Sequence, residues 1–396
     1  MLLGIVGKPS CGKSTFFKAS TLAEVDIANY PFTTIKPNHA VGFVKVTDPA
    51  KQFGKRSDPR MGFVMDEWRF VPVDIIDVAG LVPGAHKGEG MGSQFLNDLN
   101  QADALIHVID VSGSVNEKGE DVEVGSYDPA KDVAFLENEL DYWYLEIMNK
   151  GWEKFIRQTM QEKRDLAVGL EKQLSGLRVT ENMAQEAFKE LSLDPKKPNE
   201  WTDEQRLAFA RALRLKSKPM MIAANKCDRP GAWDNYERLK KDFPEYFIVP
   251  CSAELELALK EANKHELIKY IPGNNRFEVL KEDVPEKQKQ GLLFIQKFLD
   301  EKGSTGVQEV LNTAVFRLLK YKALYPGGVS KLEDSDGNVI PDCFLMPQDA
   351  TALDFAYRLH TDFGKNFIKA VSVISKLPVG KDHVLNDGEI VEIMAK

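Results

Sequence analysis

Cysteine is scarce in this 396-residue chain, and what there is stands apart. Cys11, Cys227, Cys251 and Cys343 form no CxxC pair and no His/Cys cluster at metal spacing. That pattern excludes a zinc ribbon and a disulfide framework and leaves four free thiols. No apolar run reaches the roughly 18 residues of a membrane span, and the opening MLLGIVG runs into a glycine motif without a cleavage-site pattern. Both absences point to a cytoplasmic protein with no membrane partner. Basic charge is not in excess either: with a formal net charge of −8, any RNA contact must come from a local basic face. Repeats and low-complexity tracts are missing. A monomer is expected, with the oligomeric state left open.

What is present is 43% hydrophobic residues, enough for a sizeable core and two or three domains. Apolar runs at 2–7, 73–80, 104–111, 220–225 and 247–253 are followed by turn residues. They predict buried parallel strands of an α/β sheet, in which ligands bind at the strand ends. Between about 128 and 217 apolar residues recur every three or four positions, and Thr202 with Gln205 has capping-box spacing. One βαβ step needs roughly 30 residues, so this stretch reads as an inserted helical domain. Residues 255–335 read as helical again. YPGG and SDGN then mark a linker before a small α+β domain. The expected boundaries are 1–127 with 218–275 for the main domain, 128–217 for the insert, 276–335 for a helical extension and linker, and 336–396 for the last domain.

GKPSCGKS (7–14) lies between a predicted strand and a predicted helix. A glycine-rich turn there presents backbone N–H groups and a helix N-terminus to phosphates. Gly7, Lys8, Ser10, Cys11, Gly12, Lys13, Ser14 and Thr15 are the candidate phosphate-binding residues, with Lys13 reaching the β- and γ-phosphates and Ser14 a Mg²⁺ ligand. Asp77 and Gly80 form DxxG: the carboxylate can hold Mg²⁺ through water and the glycine N–H can approach the γ-phosphate. Asn225, Lys226 and Asp228 form NKCD after another strand. The Asp228 carboxylate can accept from guanine N1–H and its 2-amino group, whereas adenine would leave it unpaired. GTP is therefore predicted over ATP. In CSAE (251–254) the backbone of Ser252 and Ala253 is placed to meet guanine O6.

NYPFTTIKPN (29–38) ahead of DVAGLVPGAHKGEGMGSQFL (77–96) resembles the Obg branch of translation-factor P-loop GTPases, and most closely its YchF group. DATALDFAYRLHTDFGKNFIKA with DGEIVEIM resembles a TGS domain, a β-grasp module. The resemblance implies an α/β Ras-like P-loop GTPase sheet carrying an inserted helical domain and a C-terminal β-grasp domain. It also implies a role on the ribosome or RNA, exerted through the TGS and helical domains. YchF proteins typically replace NKxD with a Glu-containing variant and accept ATP, while this chain keeps Asp228. Ser10 stands where YchF tends to have an Asn linked to potassium, so no potassium dependence is predicted. By the same resemblance Thr33 or Thr34 is the switch I sensor of Mg²⁺ and γ-phosphate, with Thr34 favoured.

Leu81 follows DxxG, where Ras-type enzymes place a glutamine; a leucine cannot orient water. Slow turnover can rest on Mg²⁺, Lys13 and the loop amides. His86 and Lys87 are the nearest candidates for a further group, in a glycine-rich loop expected to order around γ-phosphate or a partner. Cys11 sits where a helix N-terminus could lower a thiol pKa, which allows a redox reading, with a small packed side chain the favoured one. Arg358, Lys365, Lys369 and Lys376 are the candidate RNA-facing cations of a last domain holding six basic and eight acidic residues from 342 on. A different class of function is a nucleotide-gated scaffold whose amphipathic helices dock proteins.

Overall fold

The computed structural model describes residues 1–21, 38–78, 99–162, 164–281 and 284–396. The expectations for Thr33, Thr34, Gly80, Leu81, His86 and Lys87 lie outside the described residues. The chain divides into two compact units, Met1–Phe17 with Ile75–Ala258 and Lys18–Asp74 with Leu259–Lys396.

The first unit is built on a sheet of order β4-β1-β5-β6-β7, formed by β1 (Leu2–Val6), the end of β4 (Trp68–Asp77), β5 (Ala104–Asp110), β6 (Met220–Asn225) and β7 (Ile248–Pro250). β1, β5, β6 and β7 pair in parallel, with Val6 opposite His107 and Asp110 opposite Asn225. Every residue of β5 and β6 is buried, as expected for parallel strands covered on both faces. Because the strands share a direction, the loops after β1, β5, β6 and β7 gather at one edge.

Between β5 and β6 the described residues form five α-helices, Ala130–Asn149, Trp152–Gln161, Leu166–Gln173, Glu181–Glu190 and Asp203–Ser217. Thr202 caps the last of them: its side chain accepts from Gln205 N while the Gln205 side chain accepts from Thr202 N. The aromatic rings form a core: Phe188 stacks on Phe209 at 5.1 Å, and Trp201 lies 5.8 Å from Trp152.

In the second unit, β2 (His39–Thr47) and β3 (Phe63–Met65) flank the start of β4. The reading of 255–335 as helical needs correction. Helices span Glu286–Lys302 and Val307–Asn312, the latter continuing as a π-helical turn over Thr313–Leu318. A hairpin of β8 (Ile268–Tyr270) and β9 (Phe277–Val279), and then β10 (Tyr321–Pro326), also occupy the segment. Three-residue strands are too short to show a period-two pattern against helical neighbours.

β10 belongs to the C-terminal sheet, whose order is β11-β10-β14-β12-β13. Its other strands are β11 (Phe344–Pro347), β12 (Phe367–Ser372), β13 (Pro378–Val379) and β14 (Ile390–Ala395). The helix Ala352–Leu359, opened by a Thr351/Asp354 capping box, contributes Phe355 and Ala356 to the buried side. Leu324, Phe355, Ala370 and Val391 form that core. Arg358 lies over the Phe344 ring and Lys369 pairs opposite Met394, so these two candidate cations sit on different elements of the module. Among the described residues no helix is long and apolar enough to cross a membrane.

Candidate nucleotide site

The turn after β1 is shaped by two residues with positive φ, Ser10 at 62° and Gly12 at 91°. Alternating conformations of this kind aim successive N–H groups into one concavity, a nest for an anion. The glycines are required by contact. A Cβ on Gly7 would stand 2.5 Å from the Val108 carbonyl oxygen, and one on Gly12 would stand 2.2 Å from Asn225 Nδ2. The helix Lys13–Ser20 starts directly behind the turn and adds its N-terminal dipole. Lys13 opens that helix and its Nζ pairs with Asp77 Oδ1 at the end of β4. Ser14 is exposed on the first turn and Thr15 is half-buried.

Asn225 braces three loops. Its Nδ2 donates to the Cys11 carbonyl at 3.0 Å, and its Oδ1 accepts from Ala253 N at 3.0 Å. The Ala253 amide expected to face a base is thus engaged by Asn225 in this structure. Ser252 is fully buried, with its Oγ accepting from Leu255 N at 3.3 Å. Lys226, at φ 65°, folds back over the phosphate loop and donates to the Ser10 carbonyl at 2.9 Å and to Asp110 Oδ2 at 3.0 Å. Asp228 is half-buried, and among the described residues no donor engages its carboxylate. A half-buried carboxylate that no donor among the described residues engages suits a pair of N–H donors.

Asp110 is a site residue that sequence reading missed. It ends β5, is fully buried, and accepts from Ser112 Oγ at 2.5 Å, Ser114 Oγ at 2.7 Å and Lys226. Arg229 reaches Ser114 Oγ at 2.7 Å. Burial pushes the Asp110 carboxyl up, but the hydrogen bonds from Ser112, Ser114 and Lys226 outweigh it and hold the group below the usual range. Its signal in the sequence was a lone carboxylate closing the apolar run ALIHVID.

Two side chains of the phosphate loop point elsewhere than to a phosphate. Lys8 is buried, 2.9 Å from Asp132 Oδ2 and donating to the Val115 carbonyl at 2.8 Å, so only its backbone is available to the nest. Cys11 is fully buried, and burial pushes its thiol up to about 12. The helix N-terminus does not offset this, so the redox reading gives way to packing.

The donor set fits a magnesium nucleotide. Ser14 and Asp77 offer hard oxygen atoms of the kind Mg²⁺ takes alongside phosphate oxygens, and the nest and Lys13 would answer the phosphate charge.

Three family models match: "50S ribosome-binding GTPase" over residues 2–139, "Obg-like GTPase YGR210-like, G4 motif-containing domain" over 223–328, and "TGS domain" over 335–395. The sequence is 45% identical over 396 residues to an uncharacterized GTP-binding protein of Methanocaldococcus jannaschii, covering 100% of this chain and 99% of that one. It is 27% identical over 417 residues to the ribosome-binding ATPase YchF of Bacillus subtilis, covering 98% and 97%. Among solved structures, the GTP binding protein of Pyrococcus horikoshii is similar along the whole of both chains, with a TM-score of 0.79 and 36% identity.

Proposed function

The chain belongs to the YchF-related, Obg-like family of P-loop GTP-binding proteins, and from that premise we propose that it hydrolyses GTP to GDP and phosphate as a Mg²⁺-dependent switch acting on the ribosome. The observation that carries the base preference is Asp228. Asn225 and Lys226 brace the loops, while no donor among the described residues takes the Asp228 carboxylate, which leaves its oxygens for the N1–H and 2-amino group of guanine. Adenine offers an acceptor at N1 and would leave that carboxylate without a donor.

The chemistry is positioning and charge neutralisation. Ser14, Asp77 and Thr34 would hold a Mg²⁺ ion, which supplies neutralisation of the phosphate oxygens. The nest at Gly7–Gly12 fixes the phosphate chain. Lys13 leaves Asp77 for the β- and γ-phosphates, and the Gly80 N–H stabilises charge on the γ-phosphate. Leu81 cannot orient water, so intrinsic turnover is slow, and acceleration falls to His86 or to a group supplied by the partner. The ribosome is brought in by the YchF relatives, named ribosome-binding ATPases, and by the TGS domain.

Single-turnover hydrolysis of GTP and of ATP, each with and without ribosomes at fixed Mg²⁺, tests both halves. Strong stimulation of GTP hydrolysis by ribosomes is expected. Turnover of ATP in preference to GTP would replace the reading of Asp228 with the ATPase activity that the YchF names carry. Slow GTP turnover indifferent to ribosomes would leave a timer for protein partners of the helical insert.

A further inference from the structure

We propose that Lys8 and Asp132 are a positioning pair that transmits occupancy of the phosphate loop to the helical insert, an inference resting on the nucleotide-site reading above. Lys8 lies inside the glycine motif, yet its side chain turns away from the nest. Its ammonium donates to the Val115 carbonyl at 2.8 Å, stands 2.9 Å from Asp132 Oδ2 and lies 3.9 Å from the centre of the Tyr127 ring. Asp132 is in the first turn of the helix Ala130–Asn149, and its other oxygen accepts from Tyr127 Oη at 2.9 Å. The Lys8 and Asp132 side chains are each 6% exposed. A buried pair of this kind resists separation, because parting the charges leaves each desolvated and uncompensated. The loop and the helix start therefore move together.

The same helix is fastened to the base end of the site. Five residues after Asp132, the buried Glu137 accepts from Tyr246 Oη at 2.5 Å. Tyr246 leads into β7, and Ser252 and Ala253 follow shortly after its end. Four residues further on, Asp141 holds the fully buried Arg214 of the helix Asp203–Ser217 at 2.6 Å. Ala130–Asn149 thus spans from the phosphate loop to the body of the insert, with a charged, buried contact at each junction. Pro9 adds a steric contact on the loop side, since a Cβ on Gly119 would stand 2.7 Å from its Cβ. Rearrangement of the 7–14 loop around phosphates has a direct route to the insert through residue 132.

The test is hydrogen exchange by mass spectrometry on the full chain, with and without GDP and Mg²⁺, for the wild type, Asp132→Asn and Asp132→Glu. In the wild type, GDP is expected to slow exchange in 130–149 by about 5-fold or more, the scale of ordinary coupling between sites. In D132N the loop still gains protection from GDP, while the GDP-dependent change in 130–149 falls towards none; D132E restores it in part. A melting temperature of each variant without nucleotide separates general loosening from lost coupling, and the readout is the ratio with and without GDP. An unchanged ratio in D132N, or no GDP effect on 130–149 in the wild type, overturns the coupling. A wild-type chain that binds no guanine nucleotide overturns the functional reading itself, and loop protection in the wild type distinguishes the two failures.

Discussion

Lys13 Nζ and Asp77 Oδ1 form an ion pair across the candidate phosphate site, each side chain less than a fifth exposed. The proposed function gives both to the magnesium nucleotide, Lys13 to its phosphates and Asp77 to the metal. Nucleotide binding has to exchange one contact for two. Lys13→Met should therefore weaken GDP binding about 10- to 100-fold with or without Mg²⁺, the scale of a lost charged hydrogen bond. Asp77→Ala should instead remove most of the gain in affinity that Mg²⁺ confers. Titration of a fluorescent GDP analogue in Mg²⁺ and in chelator gives both quantities, and equal Mg²⁺ dependence in wild type and D77A would refute the assignment.

Asn225 is predicted to act on stability as much as on binding. Its side chain satisfies the Cys11 carbonyl and the Ala253 N–H, and Asn225 is itself only 2% exposed. Asn225→Ala leaves both backbone groups without their partner in a buried setting, which costs about 2 kcal/mol or more. The urea midpoint of nucleotide-free protein should fall accordingly. A midpoint unchanged by N225A would mean that the three loops are held together by other contacts.

Base choice offers a sharper test at Asp228. Asparagine replaces one carboxylate oxygen by an N–H donor, which suits a base with a carbonyl where guanine has its 2-amino group. Asp228→Asn should lower GTP affinity about 10-fold or more and raise affinity for the xanthine nucleotide XTP, since the unpaired donor finds an acceptor there. Competition of GTP, ATP and XTP against a fluorescent nucleotide checks this. A D228N protein that keeps the wild-type order of preference would remove Asp228 from the base site.

How much of this was legible in the sequence depended on whether a feature is local. The strands behind the site, the glycine turn, Asn225–Asp228 and the Thr202 cap all carry their signal within a few residues, and each takes the expected element in the structure. Asp110 did not stand out, because one carboxylate ending an apolar run resembles any strand-end turn. The Lys8–Asp132 pair was unreadable: it joins distant segments, and no local pattern records a partner brought close only by folding. Cys11 shows the limit of local reading from the other side: its place at a helix N-terminus allows an activated thiol, and burial, a tertiary property, decides for the packing reading that the sequence favours. The hairpin of β8 and β9 was hidden by its own brevity.

His107 makes the last prediction, on acid stability. It sits on β5 beside the phosphate loop, is 2% exposed, and its Nδ1 has no hydrogen-bond partner among the described residues. Burial, helped by the nearby Lys8 ammonium, lowers its pKa from 6.5 to about 3. Above pH 6.5 the imidazole is neutral in both folded and unfolded chains, and its contribution is fully present. Between pH 6.5 and 3 the unfolded chain binds a proton that the folded chain refuses, so stability falls as the pH drops and the loss ends near pH 3. From pH 7.5 to 4.5 this one group should account for about 2–3 kcal/mol. His107→Gln removes the titration while keeping a polar side chain of similar reach. Carboxylates titrate alike in both proteins, so the difference between their pH dependences in urea isolates His107. Parallel curves would mean that the imidazole is protonated in the folded protein and finds a partner there.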